Sequence, residues 1–235
     1  MALESLSHLK LVVTETEAGR PLTSRWLAEH GVSPQLAHHY VANGWLERLG
    51  HGFFIRKGDT PTLGKSLGAA MRDGHVGGKT ALSHAGFRHN LYVQDRTVIY
   101  SHGKVRIAPW CAERFALAVR NRTLFRTGDV MGVETDADGV PVSEPERAVL
   151  EMLSDIPRYQ GVEEAENLVE MLHGLRPELM QRLLEDCTSI KTVRLFLALT
   201  RKSALPILNE ISLDRVRTGA ISSYVITTPG GTLKL

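Results

Sequence analysis

Ser33-Pro34 constrains the fold of this chain more than any other pair of its residues. Serine is a strong helix N-cap because its side-chain oxygen accepts a backbone N–H that the first turn leaves unpaired. Proline in the next position has a φ already close to helical and lacks an N–H that would be orphaned there. A helix therefore starts at Pro34. Upstream, Thr23 or Ser24 can cap an earlier helix that carries Trp26 and Leu27 inward, and Gly31 is the residue able to turn the chain between the two. Asn43-Gly44 stops the Pro34 helix. Its apolar stripe is Leu36, Tyr40 and Val41, which leaves Gln35, His38, His39 and Ala42 on the outer face. Trp45 to Leu49 and Phe53 to Lys57 then read as strands around a hairpin tip at Gly50-His51-Gly52.

Helix, tight turn, helix and hairpin over residues 22–56 is the order of a winged helix-turn-helix, which lays its second helix in the major groove of DNA. Ala28 stands three residues before Gly31, where the common bihelical motif has four, so the turn is a shortened or shifted one. On this reading Gln35 pairs bidentately with adenine, Ser33 serves a phosphate or a base, and His38 and His39 donate or accept with weaker selectivity. Arg48 and His51 lie on the wing, and Arg25, Arg56 and Lys57 hold phosphates. The bland alternative is a winged helix used for protein contacts.

The rest of the chain is expected to be α+β. An apolar helix from Leu3 to about Thr16 precedes the motif. Residues 58–66 read as a linker, followed by short helices over Leu67–Met71 and residues 80–87. Residues 97–109 suggest a strand pair around Ser101-His102-Gly103, Leu117 to Phe125 a further strand, and Asp136–Gly139 a turn. From Ser143 the spacing is helical. Ser143-Glu-Pro-Glu146 has the form of a capping box, and helices are expected over Val162–Leu172, Pro177–Leu184 and Ile190–Leu199. A terminal hairpin closes the chain around Pro229-Gly230. The expected domains are residues 1–60 and residues 61–235, the latter mixed α/β over 61–142 and mainly helical over 143–235.

Charge adds a pattern that the net value of +2 conceals. Residues 1–60 carry 6 basic and 6 acidic side chains, residues 61–130 carry 11 and 4, residues 131–190 carry 4 and 14, and residues 191–235 carry 7 and 2. Such blocks either form separate faces, one of them for a polyanion, or pair with each other inside the fold. No apolar run reaches the roughly 18 residues of a membrane span, and Met-Ala-Leu-Glu-Ser lacks the marks of a secretory signal. The two cysteines, Cys111 and Cys187, make neither a disulfide framework nor a metal set. A cytoplasmic protein is expected.

Other chemistry finds little support. Gly77-Gly78-Lys79-Thr80 invites a phosphate-loop reading, but the first glycine of that motif falls on Asp73, and the alternative is a glycine turn entering a helix at Thr80. His38, His39, His84, His89 and His102 have no zinc spacing. Ser83, His84 and Asp95 make a triad on paper without a nucleophile-elbow sequence. Glu163, Glu164, Glu166 and Glu170 read as a solvated helix face. No enzyme, cofactor or metal is expected.

Several blocks, in order, resemble the AbiE-type antitoxins of bacterial type IV toxin–antitoxin systems. They are Tyr40-Val-Ala-Asn-Gly-Trp-Leu-Glu-Arg-Leu with the Gly52-Phe-Phe wing, Gly77-Gly-Lys-Thr-Ala-Leu with Gly86, and Ser143-Glu-Pro-Glu-Arg-Ala-Val-Leu-Glu. Leu175-Arg-Pro-Glu-Leu and Cys187-Thr-Ser-Ile-Lys191-Thr-Val-Arg194-Leu-Phe-Leu complete the set. The resemblance implies a transcriptional autorepressor that binds inverted repeats in double-stranded DNA upstream of its own operon. It also implies a C-terminal domain that counteracts a nucleotidyltransferase-like toxin, typically without a stable complex, with basic residues such as Lys191 and Arg194 implicated. Where the family tends to a basic Gly-x-Gly-Lys-Arg-like stretch, this chain has Thr218-Gly219-Ala-Ile-Ser-Ser, which leaves Arg215 and Arg217 to substitute. Two other function classes remain open at this point: an enzyme that modifies the toxin or a nucleotide, and an interaction module without DNA binding.

Overall fold

A computed structural model of the chain describes residues 10, 12, 14–88, 96–128 and 130–219, together with the backbone of 225–228 and 231–234. In chain order the elements begin with β1 (Leu22–Thr23), α1 (Ser24–Glu29), α2 (Pro34–Ala42), β2 (Leu46–Gly50), β3 (Phe53–Arg56) and α3 (Leu63–Ala70). The middle holds β4 (Met71–Arg72), β5 (His75–Val76), α4 (Gly78–His84), β6 (Thr97–Ser101), β7 (Arg106–Ile107), α5 (Pro109–Arg114), β8 (Leu117–Asn121), β9 (Val133–Thr135) and β10 (Pro141–Ser143). The last part holds α6 (Pro145–Ser154), α7 (Val162–Glu170), α8 (Pro177–Asp186), α9 (Ile190–Lys202), two short 3-10 turns at Pro206–Asn209 and Leu213–Arg215, β11 (Val225–Thr228) and β12 (Gly231–Lys234). The fold is mixed α+β. The expected helix at the N-terminus falls largely outside the described residues; Lys10, Val12, Thr14 and Glu15 are helical.

The chain forms two compact units, the first made of residues 1–72, 106–116 and 136–140. Its local structure follows the capping chemistry. Thr23 Oγ1 accepts from Trp26 N at 3.0 Å, and Ser33 Oγ accepts from Leu36 N at 3.2 Å. Gly31 has φ +78°, which a side chain would strain. The hairpin β2–β3 is joined by β1 in a three-stranded antiparallel sheet of order β1-β3-β2. Leu22, Leu27, Val32, Ala37, Tyr40, Leu46 and Phe54 close a small core with Val12. The stretch expected as a linker instead starts α3 at Leu63, because Gly64 and Gly68 let the helix backbone press onto the turn at Asp138. A Cβ on Gly68 would lie 2.3 Å from the Asp138 carbonyl oxygen. The expected pairing within residues 97–109 does not form either: β7 pairs with β4 here, while β6 belongs to the second unit.

The second unit comprises residues 73–105, 117–135 and 141–235. Its sheet has the order β8-β6-β5-β10-β9 and mixes parallel with antiparallel neighbours. Helix α6 packs against α4, α7, α8 and α9. Every residue of α6 after Pro145 is buried, including Glu146, Arg147 and Glu151. Buried charges must be paired, and these are. Glu151 Oε1 takes Arg147 Nε and His75 Nε2, each at 2.7 Å. Its Oε2 takes Ser143 Oγ at 2.8 Å and Gly78 N at 3.1 Å. The expected capping box is therefore absent. Pro145 occupies the first helical position, so Glu144 is the N-cap, and Ser143 ends β10 with its hydroxyl turned to Glu151. The tail forms an antiparallel hairpin, Val225 opposite Lys234.

Burial pushes the Glu151 carboxyl upward, but the facing His75 and Arg147 outweigh it and hold its pKa below the ordinary value. A depressed folded-state pKa stabilises fully above the unfolded value, roughly 4.3, and that stabilisation drains away as pH falls through the folded value. Glu151→Gln, which leaves Arg147 without its counter-charge, is expected to cost about 3–5 kcal/mol of unfolding free energy at neutral pH. Denaturant titrations of both forms below about pH 5 should show the gap narrowing.

Candidate functional site

The surface of the first unit that faces solvent around α2 is built by three devices. The Ser33 cap fixes where α2 begins, and because the cap uses an oxygen lone pair, the Ser33 hydroxyl hydrogen stays available to donate. The helix buries Ala37 and Tyr40 and leaves Gln35, His38 and His39 exposed, as the periodicity of the sequence requires. The hairpin carries Arg48, and its tip carries His51, both exposed. Between Arg48 and Gly50 the ladder shifts register, a bulge that leaves Leu49 unpaired. Trp110 of α5 packs on that point: a Cβ on Gly50 would lie 2.8 Å from its ring, and Phe53 lies 5.5 Å away, centroid to centroid.

Among the four cations nominated for DNA, the electrostatics set one apart. Arg25 pairs with Glu29 at 2.9 Å, Arg56 with Asp59 at 3.0 Å, and Lys57 with Glu47 at 2.7 Å. Arg48 has no carboxylate partner among the described residues. Its guanidinium lies 5.3 Å from the Phe54 ring centroid and its Nη2 lies 3.3 Å from His38 Nε2. This link joins two of the sequence-nominated residues, ten positions apart on different elements. Trp45, read from sequence only as the start of a strand, is 52% exposed between α2 and β2.

In the second unit the nominated basic residues are largely occupied. Lys191 Nζ donates to the carbonyls of Ser154 and Ile156 at the end of α6. Burial, helped by the neighbouring Arg122, lowers the pKa of its ammonium. Arg194 Nε donates to the Thr218 carbonyl at 2.7 Å, and Arg215 pairs with Glu185 at 2.9 Å. Arg217 is exposed. Arg120 and Arg122 converge on Asp155, and Arg120 also stacks on Tyr159 with its guanidinium carbon 3.8 Å from the ring centroid. Lys79–Glu164, Arg126–Asp186 and Lys202–Glu166 are further pairs. The basic and acidic blocks of the sequence thus meet inside this unit, which reduces the charge they show to solvent.

The groups that a phosphate would need at Gly77–Thr80 are taken. The Gly78 amide binds Glu151, Thr80 Oγ1 accepts from Val98 N at 3.0 Å, and a Cβ on Gly77 would lie 2.2 Å from Glu151 Oε2. The helix begins at Gly78 rather than Thr80. Among the described residues no three His, Cys, Asp or Glu side chains are placed to hold a metal ion, and no helix is long and apolar enough to cross a membrane. Burial pushes Cys111 and Cys187 each up to about 11, so neither offers appreciable thiolate at neutral pH. His89 and Asp95 lie outside the described residues.

Two family models cover nearly the whole length. Residues 5–93 match the N-terminal domain of the AbiEi antitoxin transcriptional regulators, and residues 94–233 match the transcriptional regulator AbiEi antitoxin of type IV toxin–antitoxin systems. The chain belongs to this AbiEi antitoxin family. Among solved structures it is similar to the RV2827C protein from Mycobacterium tuberculosis, with a TM-score of 0.61 over 95% of this chain and 87% of that one. At 15% identity that likeness shows a shared fold. No functionally curated protein matches the chain.

The contacts of Lys191 separate a structural role from a surface one. Lys191→Ala is expected to lower unfolding free energy by about 1–3 kcal/mol, because it strips hydrogen bonds from half-buried carbonyls. Arg217→Ala is expected to stay within about 0.5 kcal/mol, as exposed substitutions do. Chemical denaturation of both variants checks the contrast.

Proposed function

We propose that this chain is a cytoplasmic DNA-binding autorepressor and antitoxin of a type IV system. Residues 1–60 act as a winged helix-turn-helix with α2 as the reading helix and β2–β3 as the wing. Residues 61–235 act as the antitoxin domain against a nucleotidyltransferase-like toxin, with Lys191, Arg194, Arg215 and Arg217 as its basic residues. The observation that supports the DNA half best is the exposed α2 face, Gln35, His38 and His39, set beside an uncompensated Arg48. Membership of a family of transcriptional regulators agrees with it.

On this reading Gln35 reads adenine, Ser33 and the N-terminus of α2 meet a phosphate, His51 follows the backbone from the wing, and Arg25, Arg56 and Lys57 exchange their carboxylates for phosphates at the edges. An inverted repeat seats two copies, one on each half-site. On this reading neutralisation proceeds without catalysis by this chain.

A band-shift titration with the DNA upstream of the gene tests the proposal. Binding is expected to weaken with salt, by a log–log slope of about −0.9 per neutralised phosphate. The triple substitution Gln35→Ala, His38→Ala and Arg48→Ala is expected to abolish the specific shift while protection against the co-expressed toxin persists. Undiminished binding by the triple variant would remove α2 and the wing as the reading surface.

A further inference from the structure

We infer that Arg48 reads a guanine in each half-site and that His38 is the residue that positions it. The inference rests on the DNA-binding reading above. It starts from the geometry of one contact. Arg48 Nη2 lies 3.3 Å from His38 Nε2. A guanidinium has donors and no acceptor, so it must donate, and His38 Nε2 must carry a lone pair. The hydrogen of the neutral ring then sits on Nδ1. Both side chains are exposed, and what they have left to offer is of one kind: the remaining guanidinium N–H groups and one imidazole N–H, all donors.

A donor-only pair at the junction of reading helix and wing is selective in the major groove. Guanine shows two acceptors there, N7 and O6. Adenine and cytosine each show an amino group, which would face these donors, and thymine shows a single acceptor beside a methyl group. A phosphate would also accept, but it carries no base identity, so a phosphate contact would leave no preference for one base over another. Arg48 is held in a way that preserves its planar fork. Its guanidinium rests over Phe54, its cross-strand partner, and His38 fixes one edge. The bulge just after it, pinned where Gly50 meets Trp110, re-aims the strand at this position. A fork ordered before DNA arrives loses less rotamer freedom on binding. The other three nominated cations are tied to carboxylates, so Arg48 alone combines free charge with fixed geometry.

Selection from a pool of randomised 30-base-pair duplexes by the full-length chain tests this, followed by titration of the enriched duplex and its single-base variants. The wild-type chain is expected to enrich a sequence with one invariant guanine per half-site. It should prefer that guanine over adenine by roughly 5- to 150-fold. Arg48→Met keeps the aliphatic stem and removes every donor. It is expected to bind the enriched duplex more weakly and to lose that preference to within about twofold, with the preferences at the other positions unchanged. His38→Ala is expected to weaken the same preference in part, whereas Gln35→Ala leaves it intact and relaxes a different position. Retention of the guanine preference by Arg48→Met overturns the inference while leaving DNA binding in place. A uniform loss at all positions also overturns it, because that is the behaviour of a phosphate contact. Enrichment of no sequence by the wild-type chain overturns the DNA reading and this inference with it.

Discussion

One buried carboxylate organises the larger unit. Glu151 sits in the middle of α6, a helix with no solvated face, and an unpaired charge there would cost several kcal/mol. Its four donors come from four places: Arg147 one turn earlier, His75 on β5, Ser143 at the end of β10, and the amide of Gly78 at the start of α4. The Tyr100 hydroxyl of β6 adds a bond to the Glu151 carbonyl at 3.1 Å. The carboxylate therefore fixes sheet to helix and helix to helix at once. It also explains the paired glycines. Gly77 must let the backbone pass Glu151 and Tyr100 with no side chain between, and Gly78 adopts φ +54° to aim its amide.

The same rule, that charge taken from water must be matched, runs outward from this centre. Glu146 takes the amide and guanidinium of Arg176, which ties the start of α6 to the start of α8, and these bonds hold its pKa down against burial. Asp155 gathers Arg120 and Arg122 near the end of α6, and Lys191 covers its last carbonyls. A sequence with strongly opposed blocks of charge thus builds a unit in which part of each block answers the other. Lys79, Arg120, Arg122 and Arg126 of the basic middle are spent in this way, and a polyanion would have to displace carboxylates to use them.

What could be read from the sequence was the chemistry that acts over a few residues. The caps at Thr23 and Ser33, the turns at Gly31 and Gly44, and the exposed face of α2 are decided by neighbours within one turn of helix. Where distant partners decide, reading failed. Ser143 looked like a cap because its spacing to Glu146 is right, but Pro145 moved the cap to Glu144 and freed the hydroxyl for Glu151, eight residues on. Residues 58–66 read as a linker, yet α3 starts at Leu63 because a turn more than sixty residues away fills the space that Gly64 and Gly68 leave. Strands of two residues such as β4 and β7 carry no periodicity at all. The link from Arg48 to His38 belongs to this second kind. Each residue was nominated separately, and only the folding of the hairpin against α2 shows that they touch.

The pairing of Arg25, Arg56 and Lys57 with carboxylates has a consequence for how a winged helix of this kind would discriminate. Exposed ion pairs are worth about 0–1 kcal/mol, so phosphates can compete for Arg25 and Lys57, but each exchange returns less than a free cation would. Non-specific affinity, which is almost wholly electrostatic, is then held low. Base contacts would bear no such discount, because Gln35, His38 and Arg48 have no carboxylate partner among the described residues to give up. A reader with few free charges and a fixed donor geometry gains its ratio of specific to non-specific binding by lowering the second term. Two copies on an inverted repeat would compound that ratio rather than the background. For a regulator that must find one site among a genome of competitors, the ratio matters more than the strength of either term alone.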